Sequence, residues 1–316
     1  MSQPQIVFLD RDTLPVLVHR PGTPHQWIEY PASSVAQAAE RLGAATVAIT
    51  NKVPITAEVL AAAPLLKLVA VAATGYNIVD LEACRARGVA VCNIRDYAIH
   101  GVAEHTLLLM LALSRQLPAY RADVLDGAWQ RAPGFCHFGA TMHDLAGRRL
   151  CLIGAGALGQ ATAHLARAFG MNVFFVERRG AAQVREGYLD FDTALASADI
   201  VSLHCPLTDD TRHLIDAAAL ARMKPGALLI NTARGGLIDE AALLAALQAG
   251  RLGGAGLDVL HEEPPRRGNP LLDVSLPHLI VTPHVAWASQ QTMQRLAAQL
   301  TENIDAFLKG EPRNLV

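Results

Sequence analysis

Three side chains in the second half of the 316-residue chain have types and settings suited to carboxylate binding and proton transfer: Arg234, Glu263 and His284. Arg234 stands in NTARGGLID, a glycine-flanked turn after an apolar run. There its planar guanidinium fork can take a carboxylate in bidentate fashion. His284 follows a β-branched run and a proline in VTPHVAWAS, and the proline restricts its approach. Glu263, in HEEPP, comes five residues after Asp258 and can reach His284. A carboxylate there would raise the histidine pKa and make imidazolium available near neutral pH. Each residue also has an ordinary reading: a surface arginine, one structural histidine among twelve, a solvated loop acid. A metal cluster of His261, Glu262, Glu263 and His284 lacks the helical His-x-x-x-His spacing that would support it, so no metal is expected.

The elements that must position these residues centre on RLCLIGAGALG, Arg149 to Gly159. The run Leu150–Ile153 predicts a buried strand, and a helical pattern follows from Ala157 to Phe169. Between them, Gly154 allows the tight strand-to-helix turn, Gly156 lets backbone come close to a pyrophosphate, and Gly159 lets the helix pack on the strand. The helix N-terminus offers free N–H groups to the anion. Glu177, closing the next apolar run (Val173–Val176), has the spacing of a group that hydrogen-bonds an adenosine ribose. This context makes the motif a dinucleotide site rather than a plain turn. Further runs at Ile200–Leu203, Ala227–Ile230, Ala255–Val259 and Leu279–Val281 bring the strands of this lobe to six. In open α/β sheets ligands bind beyond the carboxyl ends of the strands, where the phosphate loop, Glu177, His204-Cys205-Pro206, Arg234, Asp258 and His284 all stand.

Before this lobe, strands at Ile6–Leu9, Trp27–Tyr30, Val47–Thr50, Leu68–Ala73 and Val89–Cys92 alternate with helices at Ser33–Leu42, Thr56–Ala63 and Val79–Arg87, which predicts a second parallel sheet. A strongly apolar helix from Gly101 to Arg115 connects the lobes, and its apolar character on nearly every face predicts burial between layers. Residues 118–147 lose the alternating pattern; Trp129, Phe135 and Phe138 make this stretch a candidate partner contact. The last helix, from Ser289 to Gly310, carries one apolar stripe and is expected to return to the first lobe. The domains are therefore drawn as 1–100 with 290–316, and 101–289. A net charge of -2 gives no electrostatic footprint for nucleic acid. Five scattered cysteines without a Cys-x-x-Cys pair predict neither a disulfide framework nor zinc. No signal peptide or membrane-spanning run is visible, which points to the cytoplasm.

Taken together, LIGAGALG, NTARGGLIDE, GLDVLHEEP and VTPHVAWAS resemble the D-isomer-specific 2-hydroxyacid dehydrogenases, and VAATGYNIVDL and VAEHTLLLMLAL extend the likeness over nearly the whole chain. TNKV at Thr50–Val53, the VAATG loop and HVAWAS are most similar to the glycerate dehydrogenase/hydroxypyruvate reductase group. The resemblance implies an α/β protein of two doubly wound lobes, a Rossmann-type cofactor domain and a flavodoxin-like substrate domain, with the active site in the cleft. It also implies a homodimer built on the cofactor domain, with 118–147 as the dimerisation segment. Arg234 would bind substrate carboxylate and carbonyl, His284 would be the acid/base and Glu263 its partner. Cofactor contacts are implied for Gly154, Gly156, Ala157, Leu158, Gly159, Glu177, Arg178, Cys205, Pro206, Thr211, Thr232, Ala233, Arg234, Asp258 and His284. Asp258 would face the nicotinamide carboxamide. Substrate contacts are implied for Asn51, Thr74, Gly75, Arg234, His284 and Trp287, the Thr74-Gly75 backbone holding the substrate carboxylate.

The implied reaction reduces a small 2-keto acid, hydroxypyruvate or glyoxylate, to the D-2-hydroxy acid. Two departures stand out. Glu177 replaces the aspartate of many relatives and is followed by Arg178-Arg179, so NAD is expected with NADP as the alternative. Tyr76 and Ile78 stand where similar hydroxypyruvate reductases often show Thr and Asn. A formate or phosphite dehydrogenase shares the scaffold, but formate dehydrogenases pair the histidine with Gln, and formate needs no proton donated to a product oxygen. A non-catalytic NAD-sensing binding protein is the reading from another class; the missing basic or low-complexity tails speak against it.

Overall fold

Short apolar runs become parallel strands in the computed structural model, which describes residues 3–316. The chain divides into two units, Met1–Ala98 with Ala288–Val316, and Ile99–Trp287. In the first, β1 (Gln5–Phe8), β2 (Gln26–Glu29), β3 (Val47–Thr50), β4 (Leu68–Val71) and β5 (Ala90–Cys92) pair in parallel in the order β2-β1-β3-β4-β5. That order is the flavodoxin-like one. Every residue of β3 and β4 is buried, as both faces of a parallel sheet covered by helices require. The helices α1 (Val35–Arg41), α2 (Ala57–Ala61) and α3 (Leu81–Ala86) start at Ser34, Thr56 and Asp80, whose side chains each accept a hydrogen bond from the backbone N–H three residues on. The C-terminal helix, Gln290–Leu308, is capped by Ser289 and packs its Leu296, Leu300 and Ile304 stripe in this unit, against β4.

The second unit begins with α4 (Ile99–Ser114), most of which is buried. It packs on the sheet through two glycines: a Cβ at Gly256 would lie 3.0 Å from Leu109 and one at Gly254 3.1 Å from Leu113. Burial of α4 is not complete, because Leu108 is 52% exposed. The strands β6 (Arg149–Ile153), β7 (Asn172–Val176), β8 (Tyr188–Leu189), β9 (Ile200–Leu203), β10 (Leu228–Asn231), β11 (Gly254–Leu257) and β12 (Leu279–Val281) form one parallel sheet in the order β12-β11-β10-β9-β6-β7-β8. Counted from β6, this is the Rossmann order with one strand added at the far edge. The helices α6 (Ala157–Ala168), α7 (Phe191–Ser197), α8 (Ala217–Arg222) and α9 (Glu240–Gln248) connect them.

Two features correct the reading from sequence. Residues Leu117–Leu125 of the supposedly irregular stretch form a helix, α5, with a proline in its first turn. None of its residues is buried, so it lacks the apolar stripe that would have announced it. The sheet of this unit has seven strands rather than six. The extra one, β8, is two residues long and sits at the edge beside β7, too short for any periodicity to show. Among the described residues no helix is long and apolar enough to cross a membrane.

Candidate active site

The phosphate loop joins β6 to α6, and each of its glycines meets a different demand. Gly154 has φ +111, and a Cβ there would stand 2.5 Å from the His204 carbonyl group. A Cβ at Gly159 would stand 2.1 Å from the Gly154 carbonyl oxygen, so only glycine lets helix and strand approach this closely. Gly156, the N-cap of α6, faces open space, with no atom within 4 Å of where its Cβ would be. Room beside backbone N–H groups at a helix N-terminus fits a pyrophosphate. Ala157, exposed, and Leu158, half-buried, form the first turn beside this space. Across it, at the end of β9, burial pushes the His204 imidazole down to about 4 and the Cys205 thiol up to about 11, so both are uncharged at neutral pH. Thr211 closes the loop after Pro206 by donating its hydroxyl to the Pro206 carbonyl at 2.8 Å.

Glu177 follows β7 and is buried, yet its carboxylate is fully partnered. Arg185 grips it with Nε at 2.5 Å and Nη2 at 3.0 Å, and the Arg178 N–H donates to it at 2.9 Å. The Arg185 guanidinium holds this carboxyl down to about 2. Arg185 escaped the sequence reading because it belongs to no motif and lies eight residues on, in a loop rich in charge and glycine.

At the end of β10, Asn231 ties the next turn by donating to the Arg234 carbonyl at 2.9 Å and accepting from the Ala233 N–H at 3.0 Å. Thr232 is nearly buried, its hydroxyl 2.9 Å from that of Thr106 on α4. Arg234 itself is exposed. Gly235, which in the sequence stands only as a flank of the Arg234 turn, has an essential role here. A Cβ on it would lie 1.9 Å from the Leu260 carbonyl carbon, so only glycine lets the Arg234 turn pack backbone-to-backbone on the segment leading to Glu263.

His284 and Glu263 are brought together. The His284 Nδ1 lies 2.6 Å from Glu263 Oε2, with side chains 30% and 32% exposed. The other Glu263 oxygen accepts the Leu260 N–H at 2.8 Å, which fixes the carboxylate's orientation. Nε2 of His284 has no hydrogen-bond partner among the described residues, so it is the nitrogen available to a ligand. His284 has φ +55, a left-handed conformation that costs a non-glycine residue energy and persists only where its surroundings impose it. Asp258, buried at the end of β11, imposes it. Its carbonyl accepts the His284 N–H at 2.8 Å, and its carboxylate accepts the N–H groups of Val285 at 2.9 Å and Ala286 at 2.8 Å. Thr282 donates to the same carboxylate at 2.5 Å, and His105 of α4 stands 3.0 Å from the Thr282 hydroxyl. Asp258 Oδ2 accepts only the Ala286 N–H among the described residues. Trp287 donates its indole N–H to the His284 carbonyl at 3.0 Å.

Three sequence-predicted residues lie in the other unit. The Asn51 N–H donates to the carboxylate of Asp10 at 3.0 Å, together with the N–H groups of Lys52 and Val53. Burial raises the Asp10 carboxyl against the pull of those three donors. Thr74 donates its hydroxyl to Ile94 O at 2.7 Å and its carbonyl accepts from Asn93 at 2.8 Å, which steadies the loop after β4 that contains Gly75.

Comparison with known proteins agrees with this geometry. Residues 107–286 match the family model described as D-isomer specific 2-hydroxyacid dehydrogenase, NAD binding domain. Glycerate dehydrogenase of Methylorubrum extorquens is 48% identical over 313 residues, which cover 99% of this chain and 98% of that protein. Hydroxypyruvate reductase of Blautia hydrogenotrophica is 36% identical, covering 87% and 86%. Among solved structures, the TT0316 protein from Thermus thermophilus superposes with a TM-score of 0.85 at 36% identity over 99% of both chains. A match that runs from α4 through the phosphate loop to the His284 turn, within a likeness spanning the whole chain, makes this protein a member of the D-isomer specific 2-hydroxyacid dehydrogenase family.

Proposed function

We propose that the protein reduces a small 2-keto acid, hydroxypyruvate or glyoxylate, to the corresponding D-2-hydroxy acid. The observation that carries this reading is the His284–Glu263 pair at 2.6 Å, an imidazole with one nitrogen held by a carboxylate and the other free. A keto oxygen that becomes an alkoxide needs a proton, and such a pair supplies one. The open space at Gly156 fits the dinucleotide, whose nicotinamide, once bound, supplies the hydride. Arg234 pairs with the substrate carboxylate and stabilises negative charge growing on the keto oxygen. His284 gives its Nε2 proton to that oxygen and ends as neutral imidazole. Glu263 holds Nδ1–H, fixes the ring's tautomer and balances its charge before transfer. Trp287 borders the substrate. Thr232, Ala233 and Asp258 contact the cofactor's nicotinamide end. Glycerate dehydrogenase and hydroxypyruvate reductase activities among relatives support the choice of substrate.

The protein works as a homodimer in the cytoplasm. Exposed apolar side chains concentrated on one part of the cofactor unit support assembly: Trp129, Phe135 and Phe138, the last two 92% and 85% exposed. Lone scattered apolar residues are ordinary on a surface, but a cluster of aromatics marks an interface. Light scattering at micromolar concentration tests it, and a fully active monomer refutes it. The substrate reading is tested by kcat/KM over a panel of hydroxypyruvate, glyoxylate, pyruvate and a bulky aromatic keto acid, with formate and phosphite oxidation run beside it. Highest efficiency with hydroxypyruvate or glyoxylate is expected. Turnover of formate or phosphite without keto-acid reduction overturns it.

A further inference from the structure

The loop after β7 holds an arrangement that the reaction itself does not require. Glu177 stands where an acid would accept the hydroxyls of an adenosine ribose. Its two oxygens offer about four acceptor positions, and four N–H groups already occupy them. Oε1 receives the Arg178 N–H at 2.9 Å and Arg185 Nη2 at 3.0 Å; Oε2 receives Arg185 Nε at 2.5 Å and the Arg185 N–H at 3.4 Å. The Arg185 guanidinium is also stacked on Tyr188, its central carbon 3.9 Å from the ring centroid. Tyr188 in turn packs on Phe175 of β7, with centroids 5.9 Å apart. The fork is therefore held from two sides, while its side chain stays 60% exposed and its Nη1 has no partner among the described residues. The neighbouring arginines differ. Arg179 is drawn away to Asp216 at 2.8 Å and lies over Phe191, whereas the Arg178 side chain is exposed without a partner among the described residues.

We propose that Arg185 sets the balance between the two nicotinamide cofactors, by occupying the carboxylate that NAD would use and offering a guanidinium to the 2′-phosphate of NADP. With the pair closed, Glu177 cannot accept the ribose hydroxyls, and its negative charge no longer repels a phosphate. The free Nη1 and the unpartnered Arg178 then form a cationic rim suited to a phosphate dianion. With the pair open, Glu177 takes the ribose hydroxyls and favours NAD. The protein thus accepts both cofactors, and the strength of one ion pair decides the ratio. Sequence position alone assigns this role to Arg178 or Arg179; the geometry sets Arg179 aside and adds Arg185.

The inference rests on the reading of this loop as the adenosine end of the dinucleotide site, and its test is independent of the keto acid. Calorimetric titration of wild type, Arg185→Ala and Arg185→Lys with 5′-AMP and with 2′,5′-ADP measures the two adenosine halves separately. Wild type should bind the two within about tenfold of each other. Arg185→Ala should weaken 2′,5′-ADP by about tenfold or more, the loss of one charge-assisted contact, and leave 5′-AMP equal or tighter. Arg185→Lys, which keeps the charge without the fork, should fall between. Equal weakening of both nucleotides would reduce Arg185 to loop support and overturn the proposal, as would unchanged 2′,5′-ADP binding in Arg185→Ala. A wild type that rejects 2′,5′-ADP by about a hundredfold or more overturns it as well. Intact nucleotide binding without keto-acid turnover would instead count against the substrate reading alone.

Discussion

Replacing Glu263 by Gln tests the acid/base pair with the least structural disturbance, because the amide keeps the shape and one hydrogen bond. In the native pair a charged oxygen meets Nδ1 at 2.6 Å. A hydrogen bond to a charged group contributes about 1.5–3 kcal/mol and a neutral one about 0.5–1.5, so the substitution removes on the order of 1 kcal/mol of preference for imidazolium. Both side chains are about one-third exposed, and water screening keeps the figure at the low end. That corresponds to about two- to fivefold in rate. Ketone reduction needs the ring protonated, so reductive kcat/KM in Glu263→Gln should fall by about that factor. Alcohol oxidation leaves the ring charged after it accepts the proton, so oxidative kcat/KM should fall as well. The assay is kcat/KM in both directions, with nicotinamide absorbance as the signal. Unchanged kcat/KM in both directions would reduce Glu263 to a loop carboxylate and end the dyad assignment.

Other outcomes follow from single contacts. His284→Ala should lose about 10²-fold or more in kcat while still binding NADH, read by fluorescence titration. Gly159→Ala drives a methyl into the Gly154 carbonyl and should cost more than the ~1–3 kcal/mol of ordinary overpacking, seen as a lower urea midpoint. Gly156→Ala should instead keep the native midpoint and weaken cofactor binding, since its Cβ would enter open space. Asp258→Asn sets an amide N–H₂ against backbone donors, so stability should fall by about 1–3 kcal/mol and kcat should drop as the left-handed His284 turn relaxes.

Much of this protein is determined locally and is legible in its sequence. Ser34, Thr56, Asp80, Asp216, Asp239 and Ser289 start helices because their side chains satisfy N–H groups only a few residues away. Runs such as VAIT and LVAV must be buried strands wherever the chain takes them. The phosphate loop is likewise a property of one strand, one turn and one helix. What folding alone decides is set between segments distant in the chain. The left-handed backbone of His284 exists because Asp258, 26 residues earlier, collects the N–H groups of that turn. Gly235 is obligatory only because Leu260 passes beside it, and the two-residue strand β8 exists only because β7 offers an edge. Arg185 finds Glu177 through the path of a loop whose composition announces nothing. Such pairings depend on where a chain returns to itself, and no residue type or spacing encodes that return at the position where it matters.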